Sequence, residues 1–175
     1  EWPMERIIRK KGFNYLSADI IIGDDASGRL PALLYLELSR LERNKLIVDE
    51  KNKGARDEGT LKRFSVNPEA LFAAGFREQT ENDALKARVQ KLEDEIYEML
   101  KRRKERTGSD YPFTIKIVTD YIDTGEALNP IVEATKKAVR RAGGYNEDME
   151  IITMGIRDGS KHAQFEKKWG LNFIG

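Results

Sequence analysis

Short apolar runs alternate along this chain with longer stretches in which apolar residues recur at every third or fourth position. The short runs are rich in isoleucine and valine, which is typical of buried strands in a parallel sheet. They predict strands at residues 17–23, 45–50, 113–120 and 149–156. The longer stretches predict helices at residues 4–11, 31–43, 68–75, 82–106 and 129–142. The alternation predicts strand–helix–strand units with right-handed crossovers.

These elements together predict an α/β fold: a mostly parallel central sheet flanked by helices. We expect a single domain over residues 1–175, with residues 67–107 as a helical insertion within it. Residues 51–60 are polar, contain two glycines, and predict a mobile loop. In the longest predicted helix, apolar residues stand four, three, four and three positions apart, at Leu85, Val89, Leu92, Ile96 and Met99. This narrow seam is too short for an autonomous coiled coil and indicates a packing helix or a dimer contact. A homodimer is our expectation.

Charge and cysteine content exclude several classes of protein. The formal net charge is +1 over 175 residues, which predicts no broad attraction to nucleic acid or to an anionic membrane. The absence of cysteine excludes disulfides, thiolate catalysis and zinc sites built on sulfur. No apolar run reaches the roughly 18 residues that a membrane helix needs, and the opening residues lack the pattern of a secretion signal. We therefore expect a cytoplasmic protein.

Residues 119–127 form a predicted strand-to-helix turn with candidate chemistry. Ligands of open α/β sheets gather at the carboxyl ends of the strands, where this turn lies. Asp123, Thr124 and Gly125 can place backbone N–H groups around an anion, next to the positive end of the following helix. Asp120 can accept hydrogen bonds from two vicinal sugar hydroxyls. The turn therefore predicts a site for a sugar phosphate.

The same residues, written DYIDTGEAL, resemble the phosphoribosyl-pyrophosphate loop of the type I phosphoribosyltransferases, and most closely that of the hypoxanthine-guanine branch. The resemblance implies that Asp120 binds the ribose hydroxyls and that Asp123 exchanges a proton with the base. It also implies a binding site for the 5′-phosphate at Asp123, Thr124, Gly125, Glu126 and Ala127. Because Asp120 and Asp123 lie at the reacting sugar, they are the candidate catalytic residues.

Three positions depart from the family pattern. Thr119 replaces an acidic residue, Tyr121 replaces an aliphatic one, and Ala127 replaces a closing threonine. The first change removes a ribose contact and the last removes a phosphate donor, and a charge-assisted hydrogen bond is worth roughly 1.5–3 kcal/mol. These departures predict a recognisable but weakened pocket.

A second turn, IIIGDDASGRLPALL at residues 20–34, resembles the first loop of the same family, which cups the pyrophosphate leaving group. The resemblance implies a pyrophosphate site at Asp25, Ala26, Ser27, Gly28 and Arg29. It also implies that Asp24 or Asp25 holds Mg²⁺, directly or through water. The family places a mobile basic loop between the two turns, for which Lys53 and Arg56 are candidates. Trp169 is a candidate for stacking on the base, with a packed core residue as the alternative.

Other interpretations of these motifs fit less well. The triplet at residues 123–125 also occurs in aspartic proteases, but there it lies among strands, whereas here a helix rich in alanine and lysine follows. The triplet at residues 23–25 occurs in RNA polymerases within a hairpin of a much larger chain. The sequence contains neither GxxxxGK[ST] nor GxGxxG. The plain alternative is that both turns are tight connections. It explains Gly23 and Gly125, and leaves unexplained the spacing of Asp120, Asp123 and Thr124.

From the resemblance we expect a phosphoribosyltransferase that binds phosphoribosyl pyrophosphate with Mg²⁺. It would transfer the phosphoribosyl group to a nitrogenous base and release pyrophosphate. The alternative is a catalytically weak or inactive module of the same fold, which senses a nucleotide or phosphoribosyl pyrophosphate and acts through a protein partner. The sequence does not name the acceptor base.

Overall fold

The computed structural model describes residues 18–24, 28–52, 58–73, 82–108, 113–119, 128–143, 149–153, 167 and 172–174. The strands within these ranges are β1 Ile20–Asp24, β2 Glu69–Ala73, β3 Ile115–Thr119, β4 Met149–Thr153 and β5 Asn172–Ile174. The helices are α1 Arg29–Asn52, α2 Glu58–Ser65, α3 Asn82–Thr107 and α4 Leu128–Arg141. The predicted helix at residues 4–11 lies outside the described residues.

The five strands form one sheet in the order β2-β1-β3-β4-β5, and every pairing is parallel. Ile22 of β1 pairs with Leu71 of β2 on one side and with Ile117 of β3 on the other. β1 and β3 are buried along their whole length, which explains why they appear in the sequence as continuous apolar runs. The predicted α/β class, a parallel sheet flanked by helices, is confirmed.

Helices cover the two faces of the sheet unequally. Alternate residues of β1 and β3, including Ile22 and Ile117, pack with α3 and α4 in the larger core cluster. Ile21 and Val118 lie on the opposite face and pack against Tyr35 and other residues of α1. The chain therefore crosses from β1 to β2 over one face, and from β2 to β3 and from β3 to β4 over the other.

The strand predicted at residues 45–50 is wrong, because these residues are the last turns of α1. No glycine or proline stands between Pro31 and Asn52, so nothing interrupts the helix that begins at Arg29. Val48 is 55% exposed, whereas a central strand would bury it. The confirmed helix is thus longer than the predicted residues 31–43, and it takes up the first part of the predicted loop at residues 51–60.

The helix predicted at residues 68–75 is also wrong. Residues 69–73 are the edge strand β2, whose Glu69 N–H donates 3.1 Å to the carbonyl oxygen of Asp19 as the pairing with β1 begins. The long helix that follows is confirmed as α3, and four of its five seam residues are buried in the main core. In its described part, the interval 67–107 contains a strand of the sheet and a helix that covers it, rather than an added helical arm. The seam is occupied within the chain, so it gives no support to the predicted homodimer.

A buried cluster of charged side chains connects three helices to the amino end of the sheet. Asp19, which is fully buried, accepts hydrogen bonds from Arg43 at 3.2 Å, from Arg103 at 3.3 Å and from Arg63 at 2.9 Å. The same carboxylate accepts the backbone N–H of Thr114 at 3.0 Å. Burial lowers the pKa of Arg43, and the adjacent Asp19 opposes that shift. Helices α1, α2 and α3 are thereby joined to β1 at the end of the sheet opposite its carboxyl edge.

Candidate functional site

The carboxyl ends of β1 and β3 lie side by side, and the chain leaves them toward opposite faces of the sheet. After β1 it enters α1 on one face, and after β3 it enters α4 on the other. In open parallel sheets, such a divergence between neighbouring strands marks the ligand-binding crevice at the carboxyl edge, and the place between the ends of β1 and β3 is called the crevice below. The two segments singled out in the sequence, at residues 20–34 and 119–127, begin in these two strands, and residues 25–27 and 120–127 lie outside the described part of the chain.

A direct contact joins the ends of these strands. The hydroxyl of Thr119 donates a hydrogen bond to Asp24 Oδ2 at 3.2 Å, and both side chains are buried, with exposures of 2% and 4%. Asp24 follows Ile22 and Thr119 follows Ile117 at the same two-residue spacing, so both side chains lie on the face that α4 covers. The contact forms the floor of the crevice on its α4 side.

Gly28 brings the first turn back over the strand ends. Its N–H donates 2.5 Å to the carbonyl oxygen of Asp24, and its own carbonyl accepts the N–H of Ala32 at 2.9 Å as α1 begins. A Cβ at this position would lie 2.3 Å from the carbonyl oxygen of Val118 and 2.8 Å from both N and O of Asp24. These are backbone atoms that cannot move aside, so only glycine allows the turn to pass this close to β3.

Two helices begin at the crevice. α1 starts at Arg29, directly after Gly28, and α4 starts at Leu128 after the second turn. Neither helix carries an acidic residue in its first turn. The positive dipole ends of α1 and α4 are therefore not neutralised by an acidic residue of their first turns, as suits an anion site.

Arg29 adds a cation at the same edge. Its side chain is exposed, and its guanidinium carbon lies 5.2 Å from the centre of the Phe72 ring near the carboxyl end of β2. Phe72 pairs with Gly23 across the sheet and belongs to the core cluster on the α1 face. The cation thus lies on the α1 face of the sheet, over β2, whereas the Thr119–Asp24 contact lies on the α4 face.

The structure describes only part of the predicted site. Of the candidates in the first turn, Asp24, Gly28 and Arg29 are described, and they lie at the carboxyl end of β1 and the start of α1. The remaining candidates lie outside the described residues: Asp25, Ala26, Ser27, Asp120, Asp123, Thr124, Gly125, Glu126, Ala127, Lys53, Arg56 and Trp169. What the structure brings together is therefore the two strand ends and the two helix starts from which the turns depart.

The described flanks of the predicted basic loop lie away from the crevice. α1 starts at the carboxyl edge, and by Arg43 it has reached the amino end, where that side chain binds Asp19. The helix continues to Asn52, and α2 returns the chain through Arg63 to the same charge cluster. The chain before Lys53 and after Arg56 is thus anchored at the opposite end of the sheet.

Asp24 is the described candidate ligand for magnesium. Among the residues that the structure describes, no group of three or more histidine, aspartate or glutamate side chains is arranged to hold a metal ion. Magnesium that is bound with a substrate diphosphate needs only one or two protein carboxylates, because phosphate oxygens and water complete its shell. The single carboxylate of Asp24 fits that chemistry.

Phe72, on the strand next to β1, is a residue near the carboxyl edge of the sheet that sequence reasoning missed. It was assigned to a helix, and only the assignment of residues 69–73 to a strand places it at the carboxyl edge. A run of six residues between Pro68 and Gly75 was the available signal.

The chain has no significant match to a protein-family model, to a curated protein or to a solved structure. In the part of the chain that the structure describes, none of the helices is sufficiently long and apolar to cross a membrane.

Proposed function

We propose that the crevice between β1 and β3 binds phosphoribosyl pyrophosphate with Mg²⁺ and that the protein is a phosphoribosyltransferase. The observation that carries the proposal is the adjacency of the two strand ends from which the turns depart, which the Thr119–Asp24 hydrogen bond of 3.2 Å joins. Both turns resemble phosphate-binding loops of one family, and they flank the point where ligands of open parallel sheets bind.

The arrangement supports the binding of different substrate groups on the two sides of the crevice. On the α4 side, the turn with Asp123, Thr124 and Gly125 precedes a helix start and would hold the 5′-phosphate, while Asp120 would hold the ribose hydroxyls. On the α1 side, the turn that ends at Gly28 would hold the pyrophosphate, with Arg29 neutralising part of its charge. Mg²⁺ would be held between Asp24 or Asp25 and the phosphate oxygens.

The reaction would displace pyrophosphate from the anomeric carbon. A nitrogen of the base forms the new bond as the bond to the pyrophosphate oxygen breaks, and Asp123 accepts the proton that the base nitrogen loses. Positive charge develops on the sugar ring in the transition state. Positioning of the two reactants and electrostatic stabilisation would therefore supply most of the catalysis.

Calorimetry with phosphoribosyl pyrophosphate and Mg²⁺ tests the binding site. We expect binding by the wild type, and a loss of roughly ten-fold or more in Asp120→Ala and in Thr124→Val, because each removes a charge-assisted hydrogen bond. Thr135→Val on α4 is the matched control, since its hydroxyl bonds only the carbonyl of Ile131 in its own helix. Binding that survives unchanged in both site variants would refute the site.

A pyrophosphate-release assay across purine and pyrimidine bases then tests turnover. Release with any base supports the transferase. The second candidate function, a sensor that binds without turnover, is favoured by one observation: at the strand end, Thr119 stands where the family carries an acid, and its hydroxyl is committed to Asp24. Binding without release on every base would support the sensor.

A further inference from the structure

The outward side of α1 carries a line of apolar side chains. Within the residues that the structure describes, the large apolar side chains that are exposed are Leu30 at 55%, Leu33 at 44%, Leu41 at 54% and Val48 at 55%. All four belong to α1. At 3.6 residues per turn, Leu30, Leu41 and Val48 lie within about 20° of one another around the helix, and Leu33 lies about 60° from Leu30. These four residues are called the outer stripe.

The outer stripe is separate from the side of α1 that packs on the sheet. Ala32, Ser39 and Arg43 on the opposite side of the helix are fully buried. A surface helix normally presents a polar face to solvent. Single exposed leucines are common on protein surfaces, but apolar residues that are aligned along one helix indicate an interaction surface.

A charged pair lies at the middle of the outer stripe. Glu37 and Arg40 form an ion pair at 3.2 Å, and their side chains are 55% and 47% exposed. A guanidinium has five N–H donors and a carboxylate has two acceptor oxygens, so each group can take a second partner. Because the acid and the base are three residues apart on the exposed side of α1, this stretch is complementary in charge to an inverted copy of itself.

We propose that the outer stripe is a dimer interface for a second copy of this chain, with the two α1 helices antiparallel about a two-fold axis between Glu37 and Arg40. Glu37 of each copy then meets Arg40 of the other, and the four charges alternate around the axis. Leu30 and Val48 lie about 13 Å and 14 Å from the axis along the helix, so Leu30 of one copy packs on Val48 of the other. A parallel pair would instead place Glu37 against Glu37.

This interface is independent of the proposed function, and it differs from the dimer contact that the sequence suggested. The seam of α3 is buried within the chain, whereas the outer stripe is exposed. The stripe is about 27 Å long and the helix is about 10 Å across. Packing two such surfaces buries less than about 1,200 Å² in total, which is the range of weak interfaces. We expect a dissociation constant on the order of 10 μM.

Sedimentation velocity of the full chain, from roughly 1 to 100 μM, tests the interface. The wild type changes from monomer to dimer over this range. Leu41→Lys places a charge in the apolar contact of both copies, so it weakens dimerisation by roughly ten-fold or more. Its unfolding midpoint, measured where both proteins are monomers, stays unchanged, since Leu41 is 54% exposed in the single chain. This second measurement separates a lost interface from a misfolded protein.

Charge reversal tests the antiparallel arrangement. Glu37→Arg faces Arg40 of the second copy with a like charge, and it weakens dimerisation by about two- to ten-fold. Arg40→Glu has the same effect for the opposite sign. The two reversals combined restore wild-type dimerisation, because the alternating charges form again with their signs exchanged. Glu98→Arg on the exposed surface of α3 is the matched control, and it leaves dimerisation unchanged.

The outcomes are distinct. Dimerisation that Leu41→Lys weakens and that the combined reversal restores supports the inference. A wild type that stays monomeric throughout the series overturns it, even if the stripe binds lipid vesicles or another protein. A dimer that Leu41→Lys leaves intact overturns it too, because the copies then meet elsewhere. If each reversal weakens the dimer and their combination does not restore it, the antiparallel arrangement is wrong.

Discussion

Thr119 donates its hydroxyl hydrogen to Asp24 Oδ2 across 3.2 Å, although the two residues are 95 positions apart in the chain. Each is the last residue of its strand, and the two strands are parallel neighbours. A carboxylate that is 4% exposed needs hydrogen-bond donors, because burial without them leaves its charge uncompensated. The hydroxyl therefore stabilises Asp24 and joins the carboxyl ends of β1 and β3.

Thr119→Val keeps the shape of this side chain and removes the donor. We expect it to lower the free energy of unfolding by about 1–3 kcal/mol, since a buried acceptor loses a partner. Urea denaturation measures the change. Thr135→Val is the control: its hydroxyl bonds the carbonyl of Ile131 within α4, and we expect a change of about 0.5 kcal/mol or less. Equal effects of the two substitutions would show that the Thr119–Asp24 contact has no special importance.

Asp19 is expected to be the most sensitive charged residue of the described chain. Asp19→Asn preserves the volume of the side chain but leaves Arg43, Arg63 and Arg103 around a neutral amide. Removal of one partner from a buried ionic cluster typically costs about 3–5 kcal/mol, so the variant should be severely destabilised. Denaturant unfolding or the soluble yield measures this.

Glu37→Gln provides the comparison for Asp19. Glu37 pairs with Arg40 at 3.2 Å on the exposed surface of α1, where an ion pair contributes about 0–1 kcal/mol. A loss of stability in Asp19→Asn no greater than that in Glu37→Gln would contradict the structural role of the cluster.

Fully buried strands could be predicted from the sequence because a strand that is buried on both faces is a short run rich in apolar residues. Six of the ten residues of β1 and β3 are isoleucine or valine, and all ten are buried, as is usual for central strands of a parallel sheet. The position of both turns at the carboxyl edge followed from chain order in a parallel sheet. The location of Asp24, Gly28 and Arg29 near the carboxyl end of β1 could therefore be predicted from the sequence, whereas their role in a binding site stays a prediction.

The edge strand and the charge cluster could not be predicted in the same way. β2 consists of the residues EALFA, which are good helix formers and only partly buried, so neither propensity nor alternation distinguished it. Residues 45–50 show the opposite ambiguity: their apolar run suggests a strand, but the residues continue helix α1. The arginines around Asp19 come from three helices, and a sequence gives no sign that such charges will meet in the interior. Phe72 was missed because its strand was missed.

Acid should weaken the contact between α3 and α4. Arg141 donates to Glu93 at 2.7 Å and to Asp94 at 2.8 Å, and its guanidinium lies 4.1 Å from the centre of the Tyr97 ring. The hydrogen bond from Arg141, followed by that from Gln90, holds the pKa of Asp94 below its ordinary value. A carboxylate with a lowered folded-state pKa stabilises the fold above its unfolded pKa, and this contribution disappears as the pH falls through the folded value.

Comparison of the wild type with Asp94→Asn across pH tests that contact. The wild type should be the more stable protein at neutral pH, and the difference should shrink below about pH 4, where the unfolded chain binds the proton first. Glu98→Gln on the exposed surface of α3 is the control. If the difference between wild type and Asp94→Asn stays constant down to acid pH, the charge of Asp94 does not contribute.

Gly28→Ala should disrupt the crevice more than any other single methyl group added to the described glycines. The added Cβ would lie 2.3 Å from the carbonyl oxygen of Val118 and 2.8 Å from the backbone N and O of Asp24. Both residues belong to buried strands. The turn must then open, which moves the start of α1 and with it Arg29. We expect a loss of about 1–3 kcal/mol in unfolding free energy and a loss of roughly ten-fold or more in pyrophosphate affinity, since Arg29 leaves its place.

Gly143→Ala is the matched control. Gly143 has a φ of 80° and nothing within 4 Å of its added Cβ, so alanine there costs about 1–2 kcal/mol of backbone strain and leaves affinity unchanged. Thermal unfolding and calorimetry on both variants separate the two effects. A Gly28→Ala protein that binds pyrophosphate like the wild type would show that the turn after β1 does not form the anion site.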